Sequence, residues 1–168
     1  MKVIEELYEK KKKIFKKENI FSLVIILITF FLDRFSKKKI LNDLSDNSVY
    51  INEFVNFDLI WNIGIGFGLL SFDTPLIYNI ISIVIAFVII ILFYTAITSK
   101  KMDNFTFSII VGGALGNFYD RLIYHAVPDF IDLHYGNFHW FTFNVADIFI
   151  TLGIIAFLMK SFLIKSYR

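Results

Sequence analysis

Residues 76–98 read LIYNIISIVIAFVIIILFYTAIT, a run of 23 residues that contains no charged side chain. A helix needs about 20 predominantly apolar residues to cross the hydrocarbon core of a bilayer. The composition points the same way, because 57% of the 168 residues are hydrophobic and 21 are Phe. Soluble domains are roughly 45–50% apolar. We therefore interpret the chain as an integral membrane protein of mainly α-helical class.

Other features of the composition exclude several classes of protein. The chain has no Cys, so it offers no thiol nucleophile, disulfide or thiolate metal site. Its formal net charge of +2 gives no argument for binding nucleic acid. Intrinsic disorder is excluded, because disorder requires low hydrophobicity together with high net charge. The sequence motifs of serine hydrolases, zinc metalloproteases and P-loop proteins are also missing.

Three further apolar segments predict four transmembrane helices in one domain of residues 1–168. The segment 20–32 has only 13 uncharged residues, so it must extend at both ends to cross a bilayer. Its Lys-rich start resembles a signal peptide, but Asp33 and Arg34 stand where a small-residue cleavage site belongs. We therefore expect a retained first span. The predicted spans are 14–35, 76–98, 105–123 and 144–162, after an N-terminal extension of residues 1–13.

The placement of Lys and Arg predicts the orientation, because cytoplasmic loops carry an excess of both. Residues 1–19 hold seven Lys. Five further cations follow the second span or end the chain: Lys100, Lys101, Lys160, Lys165 and Arg168. We expect both termini in the cytoplasm.

Loose alternation over 49–63 predicts short strands in the first outer loop, and therefore a small extracytoplasmic lobe that contains β-structure.

Acidic side chains near the ends of these spans are candidates for function, since ionisable groups at a membrane are costly. The five candidates are Asp33, Asp120, Asp129, Asp132 and Asp147. Asp129 stands out, because the surrounding loop 126–131 is apolar and contains no basic residue. Such surroundings raise the pKa of a carboxyl, as a general acid or a shared-proton pair requires.

Several of these residues also have structural explanations. Asp120 could form an ion pair with its neighbour Arg121, and Asp33 could form a local pair with Lys37, four residues on. Asn144 could cap the fourth helix, with Asp147 in its first turn. Gly112 and Gly116, four apart, would let the third helix pack closely against a neighbour. The spacing of His125, His134 and His139 matches no common zinc pattern, so we expect surface or interfacial histidines and no metal site.

Five short blocks stand in order along the chain. They read DRFSK at 33–37, NIGIGFG at 62–68, GGALGNFYDR at 112–121, VPDF at 127–130 and FNVAD at 143–147. Together they resemble the lipoprotein signal peptidases (signal peptidase II). Arg34 departs from the Gln usual in that family, and Pro128 precedes Asp129.

The resemblance implies an aspartic endopeptidase of the bacterial inner membrane that needs no cofactor and has its active site near the outer face. Such enzymes cut the signal peptide from diacylglyceryl-modified prolipoproteins before the lipidated Cys, contact membrane lipids, and are inhibited by globomycin-type cyclic peptides. By motif position, Asp129 and Asp147 would be the catalytic pair. The implied substrate-binding or supporting residues are Asp33, Lys37, Asn62, Gly64, Asn117, Asp120, Arg121, Asn144 and Ala146. Asp132 lies outside the blocks, and the Gly-rich segment 64–68 could close over substrate as a lid.

Two alternatives without catalysis stay open from the residues alone. A small transporter or proton carrier could use intramembrane Asp residues, and a lipid-binding scaffold could need none of them. A carrier needs ionisable groups near the middle of the membrane with a route to both faces. The acids here cluster at helix ends, which favours the enzyme.

Overall fold

The structure is a computed structural model that describes residues 17–44, 48–64, 75–99 and 101–166. Within these residues the helices are α1 (Lys17–Asp43), α2 (Pro75–Thr98), α3 (Lys101–Tyr124) and α4 (Val145–Ser166). The strands are β1 (Val49–Asn52), β2 (Val55–Asn62), β3 (Val127–Tyr135) and β4 (Phe138–Phe143). The mainly helical class with a small β-part is confirmed.

Three of the described helices contain a segment long and apolar enough to cross a membrane. These segments are Asn19–Asp43, Leu76–Thr98 and Val145–Leu163. The predicted span 105–123 falls in α3, which is not among them. α3 is more polar because it lies at the centre and packs against all three other helices, so its buried side chains include Asn104, Ser108 and Asn117.

The helices expose apolar side chains and bury polar ones. On α1, Phe31 and Phe35 are 61% and 70% exposed, whereas Ser22 and Asp33 are fully buried. This arrangement suits a lipid surround, in which apolar side chains lose nothing by facing outward and polar groups need partners within the protein. Ser22 accordingly donates a 2.6 Å hydrogen bond to the amide oxygen of Asn104 on α3.

Glycines let α3 approach α1, as the sequence predicts. A Cβ at Gly112 would overlap the side chain of Thr29, and one at Gly116 would overlap the Asp33 carboxylate. Small residues at such positions permit close packing of membrane helices. The close approach brings the polar ends of α1 and α3 together.

α1 continues to Asp43, eight residues beyond the predicted end of the first span at residue 35. The prediction stopped there because Lys37, Lys38 and Lys39 follow. Lys37 is nevertheless fully buried, since its charge is paired inside the bundle, whereas Lys38 and Lys39 are exposed. The final turns of α1 then pack against the sheet, where Ile40 and Leu44 form a buried cluster with Phe130.

The strands form one antiparallel sheet in the order β1-β2-β3-β4. The strands expected over 49–63 are confirmed as β1 and β2. The expectation that Asp129 lies in a loop is wrong, because Asp129 is the third residue of β3, a central strand paired with both β2 and β4. Pro128 fits there, since a proline without an N–H is tolerated near the start of a strand.

Candidate active site

Asp129 and Asp147 lie at the same end of the bundle and are linked through Asn144, the residue before α4. The Asn144 Nδ2 group donates a 2.6 Å hydrogen bond to Asp129 Oδ1. The Asn144 Oδ1 atom accepts the backbone N–H of Asp147 at 3.1 Å, and Asp147 Oδ2 accepts the backbone N–H of Asn144 at 3.1 Å. This reciprocal pairing is a helix capping box. The expected helix cap is therefore present, and the same side chain also holds Asp129.

Two further amides complete the hydrogen bonding of the pair. Asn62 at the end of β2 donates to Asp129 Oδ2 at 2.9 Å. Asn117 on α3 donates to Asp147 Oδ1 at 2.8 Å. Each of the four carboxyl oxygens therefore accepts one N–H, so both side chains have a fixed orientation.

Asp129 is only 3% exposed, and this burial raises the pKa of its carboxyl to about 6. The negative charge of Asp147 raises it as well, whereas the hydrogen bonds from Asn62 and Asn144 and the charge of Lys37 act in the opposite direction. The direction agrees with the sequence prediction. A carboxyl with a pKa of about 6 exchanges its proton near neutral pH, as acid–base catalysis requires.

A buried group of charged side chains lies next to the carboxyl pair and orients Asn117, which donates to Asp147. Lys37 Nζ donates to Asp33 Oδ2 and to Asn117 Oδ1, each at 2.8 Å, and lies 2.7 Å from Asp120 Oδ2. Arg34 also pairs with Asp120. Two cations thus balance two carboxylates. Because Lys37 occupies the amide oxygen of Asn117, the amide nitrogen of that residue must face Asp147.

Asp33 also fixes the start of α4. Its Oδ1 atom accepts the backbone N–H of Ala146 at 2.9 Å, and Ala146 is fully buried. The first N–H groups of a helix have no partner within the helix, so a carboxylate there satisfies one of them. Ala146 therefore acts through its backbone, and Asp33 positions the helix that carries Asp147.

The expected pair of Asp120 with Arg121 is wrong. Asp120 pairs with Lys37 and Arg34, whereas Arg121 donates to the carbonyl of Asn117 at 3.1 Å and to the carbonyl of Gly64 at 3.4 Å. Adjacent residues on a helix point about 100° apart, so they face different neighbours. Arg121 thereby ties α3 to the end of β2. The predicted lid beyond Gly64, residues 65–68, lies outside the described residues.

Residues 25–163 match the family model described as signal peptidase (SPase) II. The chain belongs to the signal peptidase II family. Such enzymes are membrane aspartic peptidases, and the carrier and scaffold alternatives are set aside accordingly. Among curated relatives, this family member is 49% identical to the lipoprotein signal peptidase of Pelagibacter ubique (strain HTCC1062), over 82% of this chain and 85% of the relative.

Other relatives and solved structures agree. The lipoprotein signal peptidase of Anaplasma phagocytophilum (strain HZ) is 44% identical, over 84% of this chain and 92% of that protein. A solved bacterial membrane enzyme superposes with a TM-score of 0.72 at 27% identity, covering 88% of this chain and 91% of its own. A second superposes with a TM-score of 0.66 at 27% identity, covering 83% and 91%. This signal peptidase II member therefore shares both sequence and fold with known membrane enzymes.

In this signal peptidase II member, two residues contact the site although the sequence analysis did not predict them as site residues. Tyr78 on α2 donates from its hydroxyl to the carbonyl of Arg121 at 3.1 Å. Arg34, noted only as a departure, pairs with Asp120 and lies 4.4 Å from the centre of the Tyr119 ring. A hydroxyl in the first turn of an uncharged span was the available signal for Tyr78.

The histidines are placed differently from the prediction. His125 and His139 are exposed as expected, but His134 is only 5% exposed, so it is not a surface residue. It lies on β3, a central strand on which most side chains are buried. Donor atoms of Asp132, His134 and His139 lie within 4.8 Å of one another, a grouping that could hold a metal ion.

Proposed function

We propose that Asp129 and Asp147 are the catalytic pair with which this peptidase cuts the signal peptide from prolipoproteins. The observation that carries the proposal is the linkage of the two carboxyls through the single side chain of Asn144. Membership of the signal peptidase II family supports the reaction, and the order of motifs supports the choice of the two acids.

The proposed reaction uses water as the nucleophile. One carboxylate takes a proton from the water while the other, protonated carboxyl gives its proton to the carbonyl oxygen of the scissile bond. The water oxygen bonds to the carbonyl carbon, and collapse of the tetrahedral intermediate breaks the C–N bond as the leaving amine takes up a proton. The raised pKa of Asp129 suits it to share one proton with Asp147 near neutral pH.

The proposed substrate is a diacylglyceryl-modified prolipoprotein, cut before its lipidated Cys. The named relatives are lipoprotein signal peptidases, and the carboxyl pair lies at the end of helices whose outer faces are apolar. Buried acyl chains contribute about 0.8 kcal/mol per CH₂ group, so lipid contact can dominate recognition. The same surroundings suit globomycin-type cyclic peptides as inhibitors.

The proposed topology has four spans, namely the three segments that are long and apolar enough to cross a membrane and, in addition, α3. Its 24 residues extend about 36 Å, which is enough to cross a bilayer core. Its two acidic residues, one near each end, are both paired, with Asp103 2.5 Å from Lys160 on α4 and Asp120 beside Lys37. In the bacterial inner membrane, the positive-inside rule then places both termini in the cytoplasm and the carboxyl pair at the outer face.

The test of the catalytic pair is cleavage of a diacylated lipobox peptide by the purified enzyme. We expect Asp129→Asn and Asp147→Asn each to lower kcat by at least about a thousandfold, because an amide cannot transfer the proton. Asp58→Asn is the matched control, since Asp58 is an exposed acid on the neighbouring strand β2. Substantial cleavage by either of the first two variants would refute the proposed pair.

A further inference from the structure

A second group of polar side chains lies on β3 and β4, separate from the carboxyl pair. Asp132 and His134 are two apart on β3 and therefore point to one face, whereas Asp129 points to the other. His139 on β4 is the cross-strand partner of His134. The two imidazole rings stack with their centres 5.3 Å apart.

An irregularity in the sheet produces this grouping. The pairing of β3 with β4 shifts register between Leu133 and His134, so His139 rather than Trp140 lies opposite His134. Such β-bulges re-aim side chains and are common beside functional sites. The shift adds a second imidazole to the face that already carries Asp132.

The buried Nδ1 atom of His134 has no hydrogen-bond partner in the part of the chain that the structure describes, although the side chain is only 7% exposed. It lies 3.6 Å from Asp132 Oδ2, too far for a hydrogen bond. A buried polar atom without a partner is costly and rare in folded proteins, so this one indicates a missing ligand.

A neighbouring amide points to the same conclusion. Asn56 on β2 pairs directly with Asp132 in the sheet, so the two side chains share a face. Its buried Oδ1 atom also has no hydrogen-bond partner among the described residues. The region of Asp132 therefore contains an unpaired ring nitrogen and an unpaired amide oxygen, both of which are electron-pair donors.

We infer that Asp132, His134 and His139 bind a divalent transition-metal ion, of which Zn²⁺ fits best. Two imidazoles and one carboxylate are a ligand set that zinc accepts, with a fourth position left for water or an amide oxygen. Tetrahedral bonds of about 2.0–2.1 Å separate two ligand atoms by about 3.3 Å.

The observed distances lie near this value. Asp132 Oδ2 is 3.6 Å from His134 Nδ1 and 2.7 Å from His139 Nδ1. The shorter distance is a hydrogen bond that must widen, and the His139 side chain, 56% exposed, is free of the packing that would prevent this. The ion would join β3 to β4 three residues from Asp129 and takes no part in the proposed peptide cleavage.

Calorimetric titration with ZnCl₂ tests the inference on the full chain in detergent, stripped with EDTA and carrying no His tag. We expect saturable binding of one ion, weakened at least tenfold by His139→Ala and by Asp132→Asn. His139 is exposed, so its removal opens no cavity and the variant keeps its fold. His125→Asn is the matched control, because His125 is also exposed and Asn tolerates its positive φ of 54°. Its affinity should stay within twofold.

Two results would overturn the inference. One is the absence of saturable Zn²⁺ binding by the unaltered chain. The other is equal affinity in the unaltered chain, His139→Ala and Asp132→Asn, which would place the ion elsewhere. Neither result bears on the proposed function, because peptide cleavage is measured separately and depends on Asp129 and Asp147.

Discussion

At the scale of single residues, Asn144 uses both ends of one planar amide. Its oxygen caps α4 through the N–H of Asp147, and its nitrogen donates to Asp129. The relative position of the two carboxyls therefore depends on a group with few rotatable bonds. A shift of α4 along its axis would move the donor that holds Asp129, so the helix and the strand must keep one spacing.

The proton affinity of Asp129 leads to a prediction for Asn62. The hydrogen bond from Asn62 stabilises the ionised carboxyl and lowers its pKa, in opposition to burial. If the pair needs one proton, kcat/KM should fall as pH rises above about 6. In Asn62→Ala this hydrogen-bond donor is lost and the pKa of Asp129 is higher. We therefore expect the decrease in kcat/KM, which is the alkaline limb of the pH profile, to begin about one pH unit higher.

The measurement is the pH dependence of lipopeptide cleavage from pH 5 to 9. Asn137→Ala serves as the control, since Asn137 is exposed in the turn between β3 and β4 and is not among the described hydrogen-bond partners of either carboxyl. An unshifted limb in Asn62→Ala would show that Asp129 is not the group whose titration limits the rate.

The raised pKa of Asp129 also means that the free energy of unfolding falls as pH rises from about 4 to about 6, because the folded protein holds this proton more tightly than the unfolded chain does.

Lys37 and Lys38 give a matched pair of variants. Lys37 is fully buried against Asp33 and Asp120, whereas Lys38 is exposed. Removing one partner from a buried ion pair costs about 3–5 kcal/mol, because a charge is left uncompensated. We expect Lys37→Met to lose about this much unfolding free energy in a detergent titration, and Lys38→Met to change it by less than about 0.5 kcal/mol. Equal effects of the two variants would contradict the buried network.

At the scale of elements, the contact of α3 with α1 depends on Gly116. A Cβ there would overlap the Asp33 carboxylate, which in turn holds Ala146 and Lys37. Overpacking of a tight interior typically costs about 1–3 kcal/mol. We expect Gly116→Ala to lose stability in this range and to lower kcat, because Asp33 must move away from the start of α4.

The control for Gly116→Ala is Leu122→Ala on the exposed face of the same helix, where Leu122 is 56% exposed. Detergent unfolding and peptide cleavage are measured on both variants. Retention of full activity by Gly116→Ala would mean that the position of Asp33 does not affect the site. Large losses in Leu122→Ala would indicate a general sensitivity of α3.

The helices and two of the four described strands could be predicted from the sequence, but β3 could not. The apolar runs predict the helices, and alternation predicts β1 and β2, because both signals repeat over several neighbouring residues. β3 was missed because Pro128 and Asp129 are poor strand formers, and its stability comes from pairing with β2 about 70 residues earlier. The order of the motifs identified Asp129 and Asp147 as candidates. No local sequence pattern, however, indicates that Asp120 pairs with Lys37 rather than with its neighbour Arg121.

At the scale of the whole molecule, α3 determines the topology. If it crosses the membrane, residues 99 and 137 lie on opposite sides. The chain has no Cys, so single cysteines at Ser48, Ser99 and Asn137 give unambiguous reporters. In intact cells treated with a membrane-impermeant maleimide, we expect labelling at Ser48→Cys and Asn137→Cys and none at Ser99→Cys. Labelling at Ser99→Cys and Asn137→Cys together would show that α3 does not cross.

The capping box at the start of α4 has a consequence for biosynthesis. Asp147 and Asn144 are translated after the other three helices, yet the hydrogen bonding of Asp129 needs Asn144. A nascent chain that ends after β3 but before Asn144 therefore contains Asp129 without Asn144 or Asp147. If Asp129 and Asp147 are the catalytic pair, as proposed, the chain becomes able to cleave its substrate only after α4 has been synthesised.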